Sequence, residues 1–164
     1  HTDDAILVHY KVKEASVRAV AAGDNGAVWE DACVEFFSIP AGDGIYYNVE
    51  CNCAGILLIG AGAGRENREH APQEVMDKVQ RWSSLGRQSF EERVGECNWE
   101  LALVIPYSAF FKHQITSLDG KTVRANFYKC GDKLQTPHFL SWNPIALEKP
   151  NFHCPEFFGT LNFE

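Results

Sequence analysis

Residues 33–53, CVEFFSIPAGDGIYYNVECNC, decide the fold. Two runs rich in β-branched and aromatic residues, Cys33 to Ile39 and residues 45–53, flank the turn Pro40-Ala41-Gly42-Asp43-Gly44. Apolar runs joined by a short segment of proline, glycine and aspartate are typical of antiparallel strands and their turn. The centre of the chain therefore predicts antiparallel β-structure.

Further predicted strands lie on both sides of this pair. Residues 5–12 alternate with the period of a half-buried strand, and so do residues 99–105, which end at Pro106. Many short strands without a sustained helical period predict an all-β fold, an antiparallel β-sandwich of jelly-roll type. The remaining predicted elements are strands at 56–59, 79–84, 122–130 and 157–163 and one helical turn at 107–111.

Residues 61–77 break this pattern. The polar run from Arg65 to His70 lies here, and Pro72 is suited to open a short helix. We expect one short helix or a long loop near residues 61–80. Because long polar loops often carry function, the run from Arg65 to His70 is also a candidate pocket.

The chain has the size of one domain. It has 164 residues, 45% of them hydrophobic, which is enough for one core over residues 1–164. The polar start His1-Thr2-Asp3-Asp4 predicts a turn. Because a turn joins two strands, we expect an N-terminal partner strand that this sequence lacks.

The charge and hydropathy of the chain argue against two classes of partner. Fifteen basic and 22 acidic residues give a formal charge of −7, so the overall field repels a phosphate backbone and nucleic acid is not expected. No apolar run reaches the roughly 18 to 20 residues that a membrane-spanning helix needs. The oligomeric state stays open.

Six cysteines, at positions 33, 51, 53, 97, 130 and 154, allow a disulfide framework. Four of them, however, lie in apolar or strand-like runs, where a free cysteine behaves as a small core residue. We expect mostly reduced cysteines, which favours a reducing compartment such as the cytoplasm. The periplasm and secretion stay open because the native N-terminus is not visible.

The first candidate site is Val28-Trp29-Glu30-Asp31, which leads into the strand that begins near Cys33. Asp31 and Glu35 fall on one face of this strand, and Val34 falls on the other, so one face is polar and one faces the core. A tryptophan ring stacks on the apolar face of a sugar, and carboxylates accept hydrogen bonds from its hydroxyls. This combination favours sugar binding; a core tryptophan beside two solvated acids is the alternative.

The second candidate site is Ser141-Trp142-Asn143-Pro144. The Asn-Pro pair imposes an extended or turn geometry directly after Trp142. A tryptophan at such a corner is suited to line a loop surface, whereas the alternating neighbours of Trp99 place that residue in a buried strand.

Motifs along nearly the whole chain make the sequence similar to a known family. It resembles the carbohydrate-binding family 9-like domains, as a stand-alone member. The matching motifs are Trp29-Glu30-Asp31, Val34-Glu35-Phe36-Phe37, Tyr46-Tyr47-Asn48-Val49-Glu50, Trp99-Glu100-Leu101, Val104-Ile105-Pro106, Arg124-Ala125-Asn126-Phe127-Tyr128, Ser141-Trp142-Asn143-Pro144 and Pro155-Glu156-Phe157-Phe158-Gly159.

The resemblance implies a non-catalytic β-sandwich in which two tryptophans clamp a terminal sugar of a mono- or oligosaccharide or of a polysaccharide chain end. Trp29 and Trp142 match the clamp, and Glu35 matches the polar residue after the first tryptophan. Well-studied members of the family carry calcium, but no Asp-rich loop here has convincing ligand spacing, so a structural calcium ion stays open. Five weaker candidate ligands follow from their placement in the predicted strands and turns: Asn48, Arg124, Asn126, Lys129 and Asn143.

Other readings of the residues are kept as alternatives. A glycoside hydrolase would need two carboxyls on either side of a bond, for which Asp31 with Glu35, or Glu91 with Glu92, could be nominated. His153 with Cys154, or Cys51 with Cys53, could begin a metal site, although neither pair has the second pair that zinc spacing requires.

Two alternatives concern different functions. Related sandwiches hold a haem through Met or His ligands, and Met76 lies in the same loop as His70. A purely structural interaction domain would bury Trp29 and Trp142 instead of placing them across a cleft.

Overall fold

The computed structural model describes residues 1–164 and contains two antiparallel sheets, as the sequence predicts for a β-sandwich. One short helix, α1 (Gln73–Met76), and three 3₁₀ turns (Val28–Glu30, Tyr107–Ala109 and Pro155–Phe157) interrupt the strands. The strands are β1 (Ala5–Ala19), β2 (Cys33–Ile39), β3 (Tyr46–Asn52), β4 (Leu57–Gly62), β5 (Glu69–His70), β6 (Gln80–Ser83), β7 (Phe90–Pro106), β8 (Thr122–Cys130), β9 (Phe139–Ser141) and β10 (Gly159–Asn162).

The smaller sheet has the strand order β1-β7-β6, and the larger sheet has the order β10-β8-β2-β3-β4-β5. Strand β9 pairs with the C-terminal half of β8, next to the segment that pairs with β10. The predicted pair of central strands is β2 and β3, in which Glu35 lies opposite Glu50. None of the helices has the length and apolar content that a membrane crossing requires.

Strands β1 and β7 are much longer than their alternating patterns predict. They pair from Ala5 opposite Pro106 to Ala19 opposite Phe90, with register shifts after Glu14 and Val17. A bulge moves the apolar residues to the other parity of the strand, so the alternation ends while the pairing continues. At the C-terminus the strand is shorter than predicted, because Pro155–Phe157 forms a 3₁₀ turn.

The main core lies between the two sheets. It contains inward-facing residues of the larger sheet such as Phe36 and Ile59, and Trp99 of the smaller sheet, which is buried as predicted. No disulfide joins any of the six cysteines, and five of them are buried. Cys51 and Cys53 pack in the main core as small apolar residues.

The opposite face of the larger sheet is also buried over part of its area, so strands β2, β3 and β4 do not alternate between buried and exposed positions. Phe37, Tyr46 and Tyr128 on this outer face pack against Phe158 of the C-terminal segment. This segment turns the predicted polar face into a second packed layer, which leaves a cavity beside it.

Candidate functional site

A cavity of about 320 Å³ opens on the outer face of the larger sheet. This volume lies within the roughly 300 to 1,000 Å³ of small-molecule sites. Strands β2, β3 and β4 form its floor, and its walls come from the turn Val28–Glu30, the loop before β5, strand β9 and residues 150–153.

Three polar side chains, all at least nine-tenths buried, form the floor: Glu35, Asn48 and Glu50. Residues two apart on a strand share a face, and Glu35 of β2 lies directly opposite Glu50 of β3, so the register brings them together. Asn48 Nδ2 donates a hydrogen bond of 2.7 Å to Glu50 Oε1. Glu35 Oε1 accepts a hydrogen bond of 3.0 Å from Cys130 Sγ.

Arg68 holds the floor from one side. Its Nε donates to Asn48 Oδ1 at 3.0 Å, its other nitrogens donate to the carbonyls of Gly64 and Tyr46, and its guanidinium lies 4.1 Å from the centre of the Tyr46 ring. Asn48 fits because its partner on β4 is Gly60, where a Cβ would lie 2.6 Å from Asn48 Oδ1. Arg68 therefore orients the amide of Asn48, with few donors left for a ligand.

The electrostatics of the floor favour neutral acids. Burial, with nearby Cys130 and Glu50, holds the pKa of Glu35 well above its ordinary value. Burial also raises the pKa of Glu50 to about 7, against the hydrogen bond from Asn48. At neutral pH a protonated carboxyl can donate as well as accept a hydrogen bond, which suits a ligand with hydroxyl groups.

Wall residue His153 is neutral at physiological pH, because burial and the nearby arginines lower its pKa to about 4. Its Nδ1 lies 2.8 Å from the hydroxyl of Tyr46, whose pKa is raised to about 12, chiefly by burial. A tyrosine hydroxyl that donates to Nδ1 leaves the proton of the imidazole on Nε2. His153 then has one N–H available as a donor.

Aromatic rings line the same cavity. Trp29 and Phe139 are 39% and 41% exposed, which leaves a ring face or edge open on each of two walls. Phe152 lines the cavity too, and its ring stacks on Tyr128 with the centroids 4.1 Å apart. The cavity therefore combines exposed rings with a buried polar floor.

Three of the eight ligand candidates from the sequence meet at this cavity: Trp29, Glu35 and Asn48. The loop that was predicted as a separate pocket contributes to the same cavity through Arg65, Arg68 and His70. The two candidate regions therefore form one site.

The structure does not bring Trp142 to Trp29. Trp142 is half exposed and lines a different cavity, together with Tyr10 and Phe127. Its ring centroid lies 5.8 Å from that of Phe127, and Phe127 in turn stacks on the inward-facing Phe36. Trp142 therefore lies near the other face of the larger sheet, and the exposed ring that lines the cavity together with Trp29 is that of Phe139.

Arg124, Asn126 and Asn143 hold the C-terminal segment and do not line the cavity. Asn126 is fully buried; its Nδ2 donates to the carbonyl of Asn143, and its Oδ1 accepts from the backbone N–H of Asn143. Asn143 Nδ2 donates to the carbonyl of Phe157, and Arg124 donates to the carbonyl of Phe158. Their placement supports a structural role.

Lys129 points between the sheets rather than towards the cavity. Its Nζ lies 2.9 Å from the carboxylate of Glu14, whose side chain is 6% exposed, and donates to the carbonyl of Cys130. Trp99 Nε1 donates to the other oxygen of Glu14 at 2.5 Å. In β8, Lys129 is two residues from Phe127, which packs against the main core, so both side chains lie on the inner face of the sheet.

A family model for carbohydrate-binding family 9 matches residues 1–163 of the chain. The chain belongs to this family. No curated protein matches it.

Two solved structures are similar to this domain. A protein from Bacteroides uniformis ATCC 8492, provisionally described as carbohydrate-binding, shares 71% identity with a TM-score of 0.98, over 100% of this chain and 75% of that chain. A family 9 module from Caldicellulosiruptor kristjanssonii, solved with glucose, shares 10% identity with a TM-score of 0.58, over 99% of this chain and 72% of that chain. The second likeness shows that the fold is shared.

The carboxyl pairs nominated for a hydrolase do not form a site in this family 9 domain. Asp31 is fully buried and accepts hydrogen bonds from the backbone N–H groups of Val20 and Ala21, both at 3.0 Å. Glu91 is exposed on β7, while Glu92 accepts hydrogen bonds from Ser16 and from the backbone of Gln135. In each nominated pair, the two carboxyl groups therefore lie in different surroundings.

The two residues nominated for haem lie in different surroundings. Met76 is fully buried in the main core, whereas His70 is exposed at the cavity. Among the residues nominated for metal, Cys51 and Cys53 point into the main core, and His153 Nδ1 forms a hydrogen bond with the hydroxyl of Tyr46. The arrangement therefore does not pair Met76 with His70 at one pocket.

Several residues that line the cavity were not predicted from the sequence as ligand candidates: Glu50, Arg65, Arg68, Asp132, Phe139, Asn151 and Phe152. A signal existed for Glu50, because it shares strand parity with Asn48. The remainder come from loops and from a short edge strand, whose positions depend on tertiary packing.

Proposed function

We propose that this domain binds a sugar non-covalently in the cavity between Trp29 and Phe139, without changing it chemically. The observation that carries the proposal is an exposed tryptophan above a floor of buried, hydrogen-bonding carboxyl and amide groups. Membership of carbohydrate-binding family 9 supports the ligand class.

Each part of the cavity suits one part of a sugar. The rings of Trp29 and Phe139 offer apolar surface to the C–H face of a pyranose. Glu35 and Glu50 offer oxygen atoms that can accept from hydroxyls and, when protonated, donate to them. His153 adds an N–H donor at the wall.

The placement of the carboxyls argues against hydrolysis. Glu35 and Glu50 lie side by side on adjacent strands and face the cavity from the same floor. A glycosidase places its two carboxyls on either side of the scissile bond. Two acids on one side can hold hydroxyl groups but cannot act as an acid and a nucleophile across a bond.

Such a site is expected to bind weakly. Stacking on one or two rings and a few hydrogen bonds leave dissociation constants on the order of micromolar to millimolar, once the cost of ordering the ligand is counted. We propose a mono- or oligosaccharide, or the end of a polysaccharide chain, as the ligand. In this role the domain would support the use of a polysaccharide or an oligosaccharide.

Isothermal titration calorimetry with a panel of mono- and oligosaccharides tests the proposal. Each sugar is tested as the free reducing sugar and as its methyl glycoside, so that loss of binding on methylation reports recognition of a chain end. Trp29→Ala should abolish the heat of binding, whereas Trp142→Ala, which removes a half-exposed ring outside the cavity, should retain it.

Loss of binding with both variants would instead support the two-tryptophan clamp. No heat with any sugar, from a wild-type protein whose fold is intact by circular dichroism, would overturn the proposal.

A further inference from the structure

Three metal-ligand side chains meet beneath one corner of the cavity. The sulfur atoms of Cys33 and Cys130 and a carboxylate oxygen of Glu35 all lie within 4.8 Å of one another, and all three residues are buried. Cys130 Sγ and Glu35 Oε1 are 3.0 Å apart. Ligand atoms around one zinc ion, with bonds of roughly 2.0 to 2.3 Å, lie about 3.3 to 3.8 Å apart, so small side-chain rotations would bring the three to that spacing.

The sheet itself creates the cluster. Cys33 and Glu35 are two residues apart on β2 and therefore share its outer face, and Cys130 of β8 is the direct cross-strand partner of Cys33. The backbone of a central sheet thus carries all three groups. A rigid arrangement of this kind is what a metal site requires.

No basic side chain makes an ion pair or a hydrogen bond with the side chains of the cluster. The carboxyl of Glu35 makes no ion pair with a basic side chain, and its side chain's hydrogen-bond partner is the thiol of Cys130. Glu50 and Asp132 add further acidic groups nearby. A divalent cation stabilises the ionised form of the thiols and the carboxyl that coordinate it, and would take the place of their protons at this site.

We propose that Cys33, Glu35 and Cys130 form a binding site for a thiophilic divalent cation such as Zn²⁺. Two thiolates and one carboxylate match the sulfur and oxygen ligands that zinc accepts, whereas calcium and magnesium prefer oxygen ligands alone. Glu35 and Cys130 line the cavity, so a fourth ligand, water or a ligand hydroxyl, can approach from that side. This inference does not depend on the sugar-binding proposal.

Cobalt titration of the chelator-treated, reduced protein tests the site. Co²⁺ bound by thiolates gives a near-ultraviolet charge-transfer band and visible bands of a tetrahedral complex, and Zn²⁺ should displace it. We expect these bands to saturate at one equivalent of Co²⁺. Absence of any thiolate band in the folded wild-type protein would overturn the proposal, whatever the outcome of sugar titrations.

Variants assign the ligands. Cys33→Ser and Cys130→Ser should each reduce the charge-transfer band by about half or abolish it, whereas Cys97→Ser, at a thiol outside the cluster, should leave it unchanged. Glu35→Gln should retain thiolate bands but bind at least about tenfold more weakly, since even outer partners of metal ligands contribute tenfold or more. A band that keeps its full intensity in Cys33→Ser and in Cys130→Ser, or that persists in the double variant, would overturn the assignment.

Discussion

Glu35 and Glu50 lie directly opposite each other on β2 and β3, and both carboxyl groups are buried at the floor of one cavity. Two acids placed this close disfavour simultaneous ionisation. The sheet holds the two acids in place despite this unfavourable interaction, because β2 is also paired with β8 and β3 is also paired with β4. Two buried acids side by side do not stabilise a sheet. Their presence at the floor of the cavity is therefore the strongest indication that this face has a function.

Glu50 should make the domain less stable as the pH rises. Its pKa is about 7 in the folded protein and 4.5 ordinarily, so the folded state holds the proton more tightly. The resulting stabilisation is full below pH 4.5 and is lost as the pH rises to about 7, by at most about 3 kcal/mol. Urea unfolding at several pH values measures this slope.

Glu50→Gln should flatten the slope between pH 4.5 and 7 without abolishing it, because the pKa of Glu35 is raised as well. Glu148→Gln, at an exposed position, serves as the control and should leave the slope unchanged. An unaltered slope in Glu50→Gln would contradict the assignment of the proton to this carboxyl.

Gly60→Ala should weaken sugar binding through Asn48. The new methyl group would lie 2.6 Å from Asn48 Oδ1 and displace the amide from Arg68. Loss of one oriented hydrogen-bonding group typically weakens binding about tenfold. Calorimetry with the sugar that binds best in the titration panel measures this effect. Gly64→Ala is the matched control, since its methyl group would meet no atom within 4 Å, and equal affinities in the two variants would count against Asn48 as a ligand.

Lys129→Ala should destabilise the fold but leave sugar affinity unchanged. The variant would remove the ammonium partner of the Glu14 carboxylate and leave Trp99 Nε1 as its donor, and breaking a buried ion pair in this way typically costs about 3 to 5 kcal/mol. Lys133→Ala removes an exposed ion pair with Glu30 and should cost no more than about 1 kcal/mol. Denaturant unfolding and sugar titration of both variants check this, and a loss of affinity in a folded Lys129→Ala protein would restore Lys129 as a ligand.

Asp31→Ala should destabilise the protein by about 3 kcal/mol or more. The change would leave the backbone N–H groups of Val20 and Ala21 and the amide of Asn52 without their shared acceptor. Glu91→Ala, at an exposed position of β7, should change the stability by less than about 0.5 kcal/mol. Thermal or urea unfolding compares the two; similar stabilities would show that Asp31 does not anchor β1.

Strand positions near the centre of the chain could be predicted because their pattern is local. The parity of β2 placed Val34 towards the core and Glu35 away from it, as observed. The full length of β1 could not be predicted in the same way, because a bulge interrupts its alternation while pairing with β7 continues. Pairing depends on the partner strand, which a local pattern does not contain.

The sequence by itself determined the fold class, the family, the buried Trp99 and two parts of the cavity, Trp29 and the polar face that carries Glu35 and Asn48. Tertiary structure alone decided that the loop around Arg68 closes over this face and that Phe139, rather than Trp142, lies beside it. The reason is the range of the interactions. Alternation along a strand follows from backbone geometry over a few residues, whereas a cavity is assembled from segments whose separation in sequence says nothing about their distance in space.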